Sequence, residues 1–198
     1  MTDALSPAFR RVVFVVAMLN LGYFFIEFIV ALRIGSVSLL ADSVDFLEDA
    51  SINLVIFVAA AWSLRRRATV GGLLALIILI PTFATVWMAV VKIFDPSPPD
   101  LVPLSLAALG ALAINLTCAV LLARHRNRGG SLAKAAWLSA RNDSFANIGI
   151  IVAILTAWIS TGWFDIALGL AIGVLNADAA RTVFKTARAE RASLTPEA

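Results

Sequence analysis

Six apolar runs follow one another along this 198-residue chain, at about Val12 to Ala31, Ser38 to Leu64, Val70 to Ile93, Leu101 to Ala123, Ala135 to Ser160 and Trp163 to Thr182. A helix needs roughly 20 such residues to cross the hydrocarbon core of a bilayer, and each run can supply them. Connections are short, and polar residues collect only in the tails, the Asp95 to Pro103 loop and the Arg124 to Lys134 loop. With 61% of residues hydrophobic and 15% charged, no room remains for a separate soluble domain. The expected fold is all-α: a single polytopic membrane domain over residues 1–198 with six transmembrane helices.

Several classes fall away at once. Cys118 is the only cysteine, so there is no disulfide framework, and it reads as a small core residue of the fourth span. The only histidine, His125, reads as a solvated loop residue between Arg124 and Arg126. Neither a nucleophile–base pair nor a histidine-rich metal centre can be assembled from these, which argues against an enzyme. The first run outlasts a signal-peptide core and carries Asn20 and Glu27, so it reads as a retained helix.

Orientation follows from the cations. Six spans put both termini on one side, with Arg10, Arg11, Arg65, Arg66, Arg67, Arg124, Arg126, Arg128, Lys134, Arg181, Lys185, Arg188 and Arg191, against Arg33 and Lys92 on the other. The positive-inside rule then places both termini in the cytoplasm, and a bacterial inner (plasma) membrane is the expected location. A net charge of +3 distributed in this way is an orientation signal facing lipid, and no nucleic-acid partner is expected. Trp62, Trp137, Trp158 and Trp163 fall near span ends as interfacial anchors, and Gly169 and Gly173 make a small-xxx-small pair suited to close helix packing.

The second run holds what does not belong in hydrocarbon. Asp45 and Asp49 lie one turn apart inside it, with Asp42, Glu48 and Asn53 nearby. An ionised aspartate at mid-membrane costs roughly 2.5–3.5 kcal/mol even on lenient scales, so such residues mark function. At about 100° per residue, Ser38, Asp42, Asp45, Asp49, Asn53 and Ile56 share a stripe roughly 80° wide, and Glu48 lies about 60° outside Asp45 as a flanking or proton-handling acid. In the first span Asn20, Tyr23 and Glu27 share a face expected to line the same cavity. In the fifth, Ser139, Asp143 and Asn147 share a side, with Asn142 about 100° away and Arg141 nearly opposite. By depth, Asp45, Asp49 and Asp143 all reach the middle third of the bilayer. Three carboxylates gathered there call for protons or a divalent cation.

The run LNLGYFFIEFIVALRIGSVSLLADSVDFLED resembles the first two helices of the cation diffusion facilitator family: an Asn in the first span, Gly-Ser before the second, then Ala-Asp-Ser leading into an (His/Asp)-xxx-Asp element. The stretch AAWLSARNDSFANIGIIVA resembles that family's second such element, and Trp163, Phe164 and Asp165 resemble the opening of its last helix. The resemblance implies a proton-coupled exporter of divalent transition-metal ions, with a tetrahedral site at Asp45, Asp49, Ser139 and Asp143. Ser139 stands where the family has histidine or aspartate, and Asn142 or Asn147 is an alternative oxygen donor. Losing the histidine relaxes any preference for zinc over harder ions such as manganese. The expected form is a short one without a C-terminal cytoplasmic domain, so that any homodimer is held by the membrane helices. Zinc, cadmium, cobalt, iron or manganese is the expected substrate, protons the counter-ion, and no cofactor is needed. The alternative is a non-transporting membrane metal-binding or regulatory subunit on the same scaffold.

Overall fold

The computed structural model of this chain describes residues 7–59, 64–125, 130–155, 161–174 and 181, and every helix among them is assigned where an apolar run is expected. They are α1 (Pro7–Ile34), α2 (Val37–Ala59), α3 (Leu64–Phe94), α4 (Leu101–Ala123), α5 (Gly130–Leu155) and α6 (Trp163–Val174). No strand occurs among the described residues.

Local chemistry sets the boundaries. α1 closes on Gly35, whose φ of 64° is open to glycine at little cost, and Ser36 donates its N–H to the Ala31 carbonyl 3.1 Å away, as in a Schellman cap. Ser36 then caps α2, its Oγ accepting from the Leu39 amide at 3.2 Å. Pro96, Pro98 and Pro99 keep α3 from continuing, and Asp100 restarts the chain as the N-cap of α4 by accepting from the Val102 amide at 3.1 Å. Leu64 differs from expectation: it opens α3 instead of ending the second span. Apolar periodicity alone does not show that Leu64 and the Arg65 to Arg67 run belong to one helix. Similarly, α5 starts at Gly130, ahead of the expected Ala135.

α2 is the hub. It packs against α1, α3, α4 and α5, and α6 touches it through Gly169, where an added Cβ would fall 2.6 Å from the Val37 carbonyl carbon and 2.7 Å from the Ser38 nitrogen. The small-xxx-small pair therefore does what its spacing suggests at Gly169. Residues 37–44 of α2 are all buried, polar ones included. The surrounding helices turn large apolar side chains outward: Phe25 and Ile26 on α1, Phe83 and Trp87 on α3 (70% and 72% exposed), Leu106 and Val120 on α4. Acids and amides inside with aromatics and aliphatics outside is the inverse of a water-soluble bundle, and it marks an integral membrane protein. Judged one at a time, α1 and α4 are long and apolar enough to span. α2 has the length, and its four acids are what lower its apolarity.

Of the cations in the orientation argument, Arg126, Arg128, Lys185, Arg188 and Arg191 lie outside the described residues, as do Trp62 and Trp158. His125 is not the solvated residue expected. Half-buried, its ring stands 5.6 Å from that of Phe9, because the end of α4 lies beside the start of α1.

Candidate metal centre

Position along α2 decides which acids can meet which neighbours. Near the middle of the helix, Asp49 lies opposite α5, and its carboxyl group comes within hydrogen-bonding reach of that of Asp143. Asp49 is buried, whereas Asp45 and Asp143 are half-buried. Asp45 stands within electrostatic reach of Asp143, Asp42, Glu48 and Asp49. Glu48, also half-buried, lies within electrostatic reach of Asp49 and Asp143. The expected meeting of the second and fifth helices is thus present as a carboxyl pair with a third acid beside it. Among the described residues, no three His, Cys, Asp or Glu side chains close on one point tightly enough to hold an ion.

Both partners of the pair repeat one local device. Asn53 Nδ2 donates to the Asp49 carbonyl at 2.8 Å, and Asn147 Nδ2 donates to the Asp143 carbonyl at 3.0 Å, each reaching back one turn. Each amide oxygen, Asn53 Oδ1 and Asn147 Oδ1, is then buried with no donor among the described residues. An amide whose N–H is spent on its own helix keeps an uncommitted oxygen acceptor. Of the secondary donors read from sequence, Asn147 is thereby brought to the site. The side chains of Ser139 and Asn142 lie outside the described residues. Arg141 turns away as expected, its guanidinium 5.2 Å from the Trp137 ring and 6.0 Å from that of Phe145.

The first helix divides its polar face between two levels. Asn20, fully buried, accepts from the Cys118 thiol of α4 at 3.8 Å, and that thiol lies within electrostatic reach of Asp49 and Asp143. Tyr23 donates to the Ala107 carbonyl of α4 at 2.5 Å while staying within electrostatic reach of Glu27 and Asp42. Glu27 meets Asp42, a turn nearer the Gly35 end of α2 than Asp45.

Sequence reasoning missed a further buried carboxylate. Asp165 of α6 is 0% exposed and accepts from Ser36 Oγ (2.8 Å), Val37 N (2.8 Å), Ser38 N (3.1 Å), Ser38 Oγ (2.6 Å) and Lys92 Nζ (2.8 Å). Lys92 of α3 also donates to the Gly35 carbonyl at 2.6 Å. This knot gives the first amides of α2 a carboxylate from another helix and so fixes the depth of the helix carrying the acids. The signal was there to read: a lysine and an aspartate at span ends, on the same side as the Gly-Ser turn.

Residues 13–190 match the cation efflux transmembrane domain family. The zinc transporter ZitB of Pectobacterium atrosepticum is 30% identical over 152 residues, covering 71% of this chain and 47% of that protein. ZitB of Yersinia pseudotuberculosis is 27% identical over 155 residues, covering 71% and 49%. The chain spans about half the length of the curated relatives it matches.

Proposed function

The chain belongs to the cation efflux, or cation diffusion facilitator, family, and from that membership we propose that it carries divalent transition-metal ions out of the cytoplasm in exchange for protons, with Asp45, Asp49 and Asp143 as ligands. The observation that carries this reading is the carboxyl pair of Asp49 and Asp143 across the α2–α5 interface, with Asp45 beside it. Asn53 and Asn147 supply neutral oxygens one turn away.

The chemistry follows from the donor set. Carboxylates bind metal in their deprotonated form, so an arriving ion displaces protons, and protons arriving from the other side displace the ion. Alternating access needs the site to stay near mid-membrane while the helices around it rock. Oxygen donors suit zinc, cadmium, cobalt, iron and manganese with little discrimination, and zinc is the ion named for the relatives. With serine at position 139, no imidazole biases the set toward zinc.

Purified chain in liposomes, given each of the five metals while internal metal and pH are followed, should show saturable metal flux with protons moving the opposite way. Metal binding without flux under either sign of pH gradient would favour a metal-binding or regulatory subunit. Absence of both binding and flux with every metal would remove the reading altogether. Ser139→His should raise zinc over manganese, and Ser139→Ala should change the ratio much less.

A further inference from the structure

Among the described residues, Glu27 and Asp42 differ from every other acid. They are 0% and 1% exposed, and they face each other across α1 and α2 within hydrogen-bonding reach. None of their four carboxyl oxygens receives an N–H or O–H from any described residue. Asp165, equally buried, receives five. The acids on α2 could by themselves be a mere stripe. Glu27 is independent of that stripe, since it comes from a different helix and aims an unpartnered, sealed carboxyl group into it.

Two bare carboxylates in that position would repel at low dielectric, and each would forgo the hydrogen bonds it had in water. The titratable groups around them bring no relief: Tyr23 on α1, Asp45 on α2 and Asp143 on α5 are neutral or acidic. On α3, Lys92 is the only buried cation among the described residues, and it is committed to Asp165 and Gly35. On α4, the Cys118 thiol is bonded to Asn20. We propose that Glu27 and Asp42 form a proton-binding carboxyl pair, separate from the metal ligands. One carboxyl carries the O–H and donates it to the other, so the pair holds one proton and one negative charge. A sealed pair admits a proton where a hydrated divalent ion has no opening, and Asp42 lies about 4.5 Å along the helix from Asp45. The pair is thus a proton station next to the metal site. Its place in transport rests on the ligand assignment above, whereas its existence does not.

Infrared difference spectra of the full chain in liposomes, with saturating cadmium to deprotonate metal-ligating carboxyls, test the pair directly. The wild type should show the carbonyl stretch of a protonated carboxyl group, shifting on transfer to deuterated water. Glu27→Gln and Asp42→Asn should each remove that same component, because an amide N–H takes the proton's place as donor, and both variants should still bind cadmium with wild-type stoichiometry. Glu48→Gln should leave the component in place. Absence of the band in the wild type, or its survival in both variants, would overturn the proposal. A bound cadmium lost in Glu27→Gln would also overturn it by making the pair a metal site. If the wild type binds no cadmium, the transport reading fails, and the spectra of the wild type and the three variants without metal still decide the pair.

Discussion

The two ends of the polar stripe on α2 hold buried carboxylates in opposite circumstances. At the Gly35 end, Asp165 has two amides, two hydroxyls and an ammonium around it, so its charge is compensated and hydrogen-bonded, and it serves to hold helices together. Halfway along, Asp49 faces another carboxyl group, and the nearby amide oxygens of Asn53 and Asn147 are acceptors as well. Burial of an acid in a membrane protein is therefore not by itself a sign of transport. The five donors around Asp165 mark a structural carboxylate, whereas Asp49 shares its surroundings with a second carboxyl group.

That contrast can be broken by comparing stabilities. Asp165→Ala should cost the most, about 3–5 kcal/mol, because it strands the buried Lys92 charge and uncaps α2. Equilibrium unfolding in detergent would measure this, and a cost near zero would make the knot incidental. Next comes Gly169→Ala: the new methyl group must displace the Val37 backbone, at about 1–3 kcal/mol. Tyr23→Phe removes one hydrogen bond, to the Ala107 carbonyl, and should cost about 1 kcal/mol on the same unfolding curve. Asp49→Asn should be smallest in stability, since an amide relieves carboxyl–carboxyl repulsion. Yet it should weaken metal affinity by no less than the ~10–100-fold that loss of an outer-shell group costs. A destabilisation matching that of Asp165→Ala would erase the distinction between the two ends.

Much of this was legible in the residues. Turn chemistry at Gly35, Ser36 and Asp100 is local, so the order of the described helices and the boundaries at those turns follow from sequence. The stripe on α2 and the side shared by Asp143 and Asn147 follow from helical periodicity, and their meeting follows from depth. Partner choice between helices is not periodic. Whether Glu27 faces Asp42 or Asp45 depends on the register of α1 against α2, which the Gly35 turn sets, and Lys92 reaches Asp165 only because α3 and α6 both flank the start of α2. The shared angle of Asn20, Tyr23 and Glu27 does not show which partner each takes, and the structure pairs them with Cys118, Ala107 and Asp42.

Cadmium titration of the purified chain and of three variants, Asp49→Asn, Asp143→Asn and Asp165→Asn, tests the central claim most directly. The account predicts that binding is lost or severely weakened in Asp49→Asn and Asp143→Asn, both still folded, and persists in Asp165→Asn despite its lower unfolding midpoint. Binding that survives in the first two and disappears in a folded Asp165→Asn would contradict it.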